Sequence, residues 1–129
     1  MNLTENKVFT YPVTVQFEDV DRYNIVHHTK LIAYLERARV HFFTQLGYDI
    51  RKNNSEIVLY NLTMTFKKPA KFLDELLVSV SLKSVETFRL TLKYRIRRTN
   101  DLIAKAETDI AFVDPATKKI IPLPENSSL

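Results

Sequence analysis

Only one segment of this chain has helical apolar spacing, and every apolar segment after it alternates instead. That imbalance constrains the fold more than any other feature. From Leu31 to Leu46 ten of sixteen residues are apolar, and Leu31, Leu35, Ala38, Phe42 and Leu46 follow the spacing of one helix face. Ile32, Val40 and Phe43 spread the apolar surface further round, which predicts a helix wrapped by other elements rather than laid on a surface. Thr29 is the expected N-cap, and Gly47, the only glycine, suits the C-terminal cap.

Before the helix, residues 11–18, "YPVTVQFE", set Val13, Val15 and Phe17 against Thr14, Gln16 and Glu18, the period of a half-buried strand. After it, beyond the turn-rich "GYDIRKNNSE", come four alternating faces with no second helix between them. They are Val58, Tyr60, Leu62, Met64, Phe66; Leu76, Val78, Val80, Leu82; Phe88, Leu90, Leu92, Tyr94, Ile96; and Leu102, Ala104, Ala106, Ile110, Phe112. A strand, a long helix and four strands joined by short turns predict an α+β protein whose antiparallel sheet curls round one helix. At 129 residues the chain is expected to be one domain, residues 1–129, with one core.

Several classes of function are set aside by composition. Without cysteine the chain offers no disulfide, no thiolate metal site and no cysteine nucleophile. "MNLTENKVFT" lacks the basic and apolar regions of a signal peptide, and no apolar run approaches the roughly 18 residues of a membrane span. A soluble cytoplasmic protein is expected. The formal charge of +4 suits an anionic ligand without requiring nucleic acid.

The densest chemistry lies in "FEDVDRYNIVHH", residues 17–28, between the first strand and the helix. Asp19, Asp21, Asn24, His27 and His28 gather there, where a helix start supplies unpaired backbone N–H groups and partial positive charge. Such a start stabilises a carbonyl oxygen that becomes negative, and a carboxylate beside it can act as nucleophile or as base on water. Together these are what acyl transfer requires. The plainer alternative is that Asp19 and Asp21 only organise a turn and help to cap the helix. A metal site is not expected, because side chains of the adjacent His27 and His28 diverge and His41 lies far down the helix.

"FEDVDRYNIVHHTKLIAYLERAR" resembles the signature of the hotdog-fold acyl-CoA thioesterases, in the branch of the 4-hydroxybenzoyl-CoA and Tol-Pal-associated thioesterases. That signature runs from an aromatic through two acids one residue apart, a short turn, a Val-Val-like pair and His or Tyr, to a helix with Glu-Arg-Ala-Arg. "FKKPAKFLDEL" is similar to the family's Pro-Ala turn, and "AETDIAFVDPATKKIIPLP" to its last strand and Pro-rich end. The resemblance implies a hotdog fold, a five-stranded antiparallel sheet wrapped around one long central helix. It implies hydrolysis of an acyl-CoA, or of an acyl-carrier-protein (acyl-ACP) thioester, with no cofactor beyond the coenzyme A of the substrate. It also implies a homodimer or homotetramer with the site between subunits.

Asp21 falls on the family's catalytic aspartate, and His28 on the position whose backbone N–H polarises the thioester carbonyl. Asn24, Val26 and His27 complete the expected substrate loop. Asn24 stands where many relatives have glycine, and Phe17 where some have a tyrosine. Glu36 is expected to be buried beside Leu35 and Phe42 and paired with Arg37 or Arg39, and it is a secondary catalytic candidate because other hotdog branches carry a glutamate on this helix. Lys67, Lys68 and Lys71 of "KKPAK", with Arg89, are the expected grips for the coenzyme A phosphates. On the polar strand face carrying Arg89, Lys93, Arg95 and Arg97, aromatics do not interleave with the cations, which argues against nucleic acid. A hotdog dehydratase acting on hydroxyacyl thioesters and a non-enzymatic acyl-CoA or lipid binding module are the alternatives.

Overall fold

The computed structural model describes residues 3, 7–49, 51, 52 and 55–124. Six strands, β1 (Val8–Thr14), β2 (Glu56–Phe66), β3 (Glu75–Val85), β4 (Leu90–Arg98), β5 (Asp101–Val113) and β6 (Ile120–Ile121), form one sheet beside a single α-helix, α1 (His28–Gln45). All pairings are antiparallel in the order β1-β3-β4-β5-β2, so β1 and β2 are the edges. The resemblance implies five strands, and the described residues form six. β4 covers β5 only as far as Ile110, and Ile120–Ile121 pairs with Phe112 and Val113 beyond that point. Two residues are too few for an alternation to announce them.

The helix buries Leu31, Tyr34, Leu35, Ala38, Phe42 and Phe43. They meet the inward faces of the strands, among them Val13, Leu76, Val78, Val80, Leu92 and Ile96, all buried. Phe42 sits edge-on to Phe9 and to Phe43, and Tyr48 packs edge-on against Phe112. The inward polar groups have partners: the Tyr94 hydroxyl lies 2.7 Å from Thr108 Oγ1 and accepts from Arg39 at 3.5 Å.

Gly47 caps the helix as expected. At φ 89° it donates to the Thr44 carbonyl while Tyr48 donates to that of Phe43, the paired bonds that close a left-handed C-cap. The other end differs, because the N-cap is His27 and Thr29 lies inside the first turn. Backbone bonds from Val26 N–H to Ala70 and from His27 N–H to Asp19 hold the chain extended up to His27, and the helix begins directly after them.

Three expected faces shift. The first strand ends at Thr14, and Phe17, 75% exposed, enters a 3₁₀ turn, Phe17–Asp19, because Asp19 Oδ2 accepts the Gln16 N–H and bends the chain. In β2 the pairing steps from Leu59 to Asn61, leaving Tyr60 as an extra residue. Ile57 and Leu59 therefore point inward with Leu62 and Met64, and Val58 and Tyr60 are exposed. In β5 the pairing with β4 skips Ile103, which is wholly buried.

Phe42 is the helix residue whose loss the core is expected to feel most. Phe42→Ala should destabilise the fold by about 3–5 kcal/mol, read as a lower urea midpoint with an unchanged slope.

Candidate active site

The loop between β1 and α1 is closed by backbone bonds before any side chain acts. Val20 and Val26 form an antiparallel bridge, and Asp21 and Ile25 are joined by a 2.9 Å bond from N–H to carbonyl. The tight turn inside needs a left-handed residue, and Asn24 supplies it at φ 61°. Asn24 Oδ1 then accepts the Phe72 N–H at 3.0 Å, fastening the loop to the Pro-Ala turn. Asn24 is thus a joint of the loop and does not line the groove described below.

Asp21, half-buried, is oriented through one oxygen. Its Oδ1 accepts the N–H groups of Tyr23 at 2.8 Å and Ile25 at 3.2 Å, and Oδ2 has no hydrogen bond among the described residues. A carboxylate held in this way has a fixed direction and an unused oxygen. Asp21 thus organises the turn through Oδ1, and its other oxygen is left without a hydrogen bond among the described residues. Next to it, the N–H groups of His28 and Thr29 have no acceptor among the described residues, as the first turn of a helix requires, whereas the His27 N–H is taken by Asp19.

A groove of about 420 Å³ brings together Asp21, Val26, His27, His28, Lys67 and Lys68. Val26 contributes a buried side chain, and the exposed imidazole of His28 lies edge-on to Phe66, another lining residue. Lys68 is held by Asp101 at 2.8 Å, and Lys67 has no ion pair among the described residues. Lys71 does not line the groove; its backbone N–H donates to Asp74.

Two further expected site residues lie outside this groove. Glu36 is exposed and unpaired among the described residues, in a separate groove of about 580 Å³ with Tyr11, Arg37, Val40 and His41. Its supposed partners are engaged elsewhere, Arg37 over the Tyr34 ring and Arg39 at the Tyr94 hydroxyl. Arg89 lies just before β4, paired with Glu86, at the far end of the sheet from Asp21. Ile103, whose carbonyl accepts the N–H groups of Lys67 and Lys68, and Ile110, opposite Leu90, lie seven residues apart on β5, about 23 Å.

One contact was readable in part. Tyr34 falls in helical phase with Leu31, Leu35 and Ala38, so its hydroxyl had to be buried and to find a partner. It donates to Asp19 Oδ2 at 2.6 Å, and both residues are buried. Burial first, and then this bond, push the Tyr34 hydroxyl well above the ordinary tyrosine range. The pair ties the loop to the second turn of the helix and so fixes Asp21 relative to the helix start.

A sheet rolled round one helix, with a carboxylate loop at the helix N-terminus, defines the hotdog class. The family model of the thioesterase-like superfamily matches residues 15–127, and the chain belongs to that family. It is 30% identical over 132 residues to the acyl-CoA thioester hydrolase YbgC of Escherichia coli, across 98% of this chain and 95% of that one. A solved structure from Aquifex aeolicus, 32% identical, superposes with a TM-score of 0.84 over 90% of this chain and 93% of its own. The 1,4-dihydroxy-2-naphthoyl-CoA thioesterase of Synechocystis shares the fold at a TM-score of 0.85 and 21% identity, covering 93% and 92% of the two chains.

Tyr34→Phe removes a buried bond to a carboxyl group and should cost about 1.5–3 kcal/mol. The raised hydroxyl also sets a pH dependence. An unfolded tyrosine releases its proton near the ordinary value of 10.0 while folded Tyr34 keeps its own, so this contribution is complete below pH 10 and lost as pH rises above it. In urea titrations at stepped pH, stability above pH 10 should fall less steeply in Tyr34→Phe than in the wild type.

Proposed function

We propose that this chain is an acyl-CoA thioesterase, with acyl-carrier-protein thioesters as a close variant of its substrate. The observation that carries the reading is the half-anchored Asp21 carboxylate beside the unpaired N–H groups of His28 and Thr29. The thioester carbonyl lies at the helix start, where those donors oppose the charge that grows on its oxygen. The free Oδ2 of Asp21 attacks the carbonyl carbon or takes a proton from the attacking water. The carbon–sulfur bond breaks, and one water has turned the thioester into acid and thiol. Nothing in this sequence calls for a cofactor other than the coenzyme A of the substrate. No helix among the described residues is long and apolar enough to cross a membrane, and we place the enzyme in the cytoplasm, where coenzyme A esters are at hand.

The remote position of Arg89 supports assembly as a homodimer, alone or within a tetramer. β2 is an edge strand, and antiparallel pairing with β2 of a second copy would set its Phe66 end beside the partner's Glu56 end. The Asp21 groove lies at the Phe66 end, and the start of β4 with Arg89 at the Glu56 end. The pairing therefore carries the Arg89 of one subunit toward the Asp21 of the other. Lys67 and the second subunit's arginine then flank the nucleotide end of the substrate, while the acyl group points inward.

Thiol release from short, long and aromatic acyl-CoAs tests the activity. Asp21→Asn should lower kcat roughly 10²- to 10⁴-fold with binding retained. His28→Ala should cost far less, since its backbone N–H stays in place. A fully active Asp21→Asn would refute the assignment and make Glu36 the next residue to replace.

Shared sites are tested by mixing subunits. Arg89→Ala alone should raise KM for coenzyme A esters several-fold with kcat little changed, and simple pantetheine thioesters should be unaffected. In heterodimers of Asp21→Asn with Arg89→Ala, the surviving Asp21 faces a normal Arg89, so KM should return to the wild-type value. An unrestored KM in verified heterodimers would place both residues in one chain's site.

A further inference from the structure

The convex face of the sheet, opposite the helix, carries cations that the reaction described above does not use. Because Leu90, Leu92, Tyr94 and Ile96 point inward, Lys93, Arg95 and Arg97 of β4 point outward, and Lys105 of β5 joins them. None of these four has an ion-pair partner among the described residues. Their register is unusual. Arg95 stands directly opposite Lys105, a like-charge cross-strand pair that destabilises a sheet unless something lies between the charges. Lys93 stands opposite Glu107, but both oxygens of that carboxylate are 2.8 Å from Lys83 Nζ, so Lys93 gains little from it. The rows end in hydroxyls, with Ser79 beside Arg95 and Thr65 beside Lys105, then Ser81 beside Lys93 and Thr63 beside Glu107. A concavity of about 410 Å³ opens here, lined by Lys93, Arg95 and Lys105, by Lys83, and by the single carboxylate of Glu107. The next carboxylate, Asp109, lies one row beyond and is engaged by Thr91 at 2.7 Å and Asn61 at 3.0 Å.

We propose that this concavity is a binding site for a linked diphosphate, the anion seated between Arg95 and Lys105 and reaching Lys93. The two cation rows are two residues apart along the strands, about 7 Å. One phosphate bridges the opposed pair, and the second extends toward Lys93. The hydroxyls of Thr63 and Thr65, both lining the concavity, supply donors for the remaining oxygens. The site lies across the sheet from Asp21 and cannot deliver a thioester to the Asp21 of its own chain.

Titration calorimetry of the full chain with inorganic pyrophosphate is the test. Binding should weaken as salt rises, and Arg95→Gln and Lys105→Gln should each loosen it tenfold or more. In anion-free buffer the same substitutions relieve a repulsion, so each should raise Tm by roughly one to four degrees and abolish the further rise that pyrophosphate gives the wild type. No pyrophosphate binding, equal binding by the double variant, or a lowered Tm in both variants would overturn the proposal. A second arm, which rests on the proposed thioester hydrolysis, separates two sources of the diphosphate. If Lys105→Gln raises KM for acyl-CoA but not for pantetheine thioesters, the site holds the substrate's own diphosphate. If ADP binds in a Lys105-dependent way while KM is unmoved, it serves a free nucleotide. Either result supports the site, and the calorimetry stands whether or not the hydrolysis reading does.

Discussion

One helix must fill the concave face of the whole sheet, and the rest of the structure follows from that constraint. A helix with its side chains is about 10–12 Å across, while five strands side by side span roughly twice that. A flat sheet would leave its outer strands uncovered, so this one must curl. The extra residues at Tyr60, Lys83 and Ile103 each place two residues against one partner position, which bends the strand and increases its twist. The helix then meets the sheet with Leu31, Tyr34, Leu35, Ala38 and Phe42 and leaves its N-terminus open beside the loop that carries Asp21.

This geometry decides what was legible in the sequence. Periods of two and of 3.6 are written directly in residue order, so the helix, the strand order and most inward faces could be read in advance. A bulge changes the period for a single residue and leaves no compositional mark. The expected face of β2 was therefore wrong at Val58 and Tyr60 but right at Leu62 and Met64, beyond the insertion. Glu36 failed for a different reason. It is one step round from Leu35 and shares its side of the helix with Arg37 and Val40, both exposed, so sequence proximity to a buried leucine misled where angular position would not have.

The site was legible where it is local. Asp21, Val26, His27 and His28 lie within eight residues, and a loop that enters a helix has to bring them together. The pairings of Lys68 with Asp101 and of Arg98 with Asp74 depend on where distant strands place their ends, which no local pattern encodes. The Asp19–Tyr34 bond spans both cases. A polar tip on a buried helix face announces that a partner exists, but only the turn that begins at Gln16 brings Asp19 to it.

The sheet also separates two kinds of electrostatic work. Strand alternation means that the apolar residues β4 lends to the core oblige their neighbours to face the opposite side. Lys93, Arg95 and Arg97 are therefore held away from the groove by the same pleat that buries Leu92, Tyr94 and Ile96. In the groove, the helix start and one anchored carboxylate keep their direction because the backbone itself holds them. Backbone donors cannot turn aside as a lysine can, so the groove keeps its polarity when solvent is displaced, while Lys93, Arg95 and Arg97 face outward on the other side of the sheet.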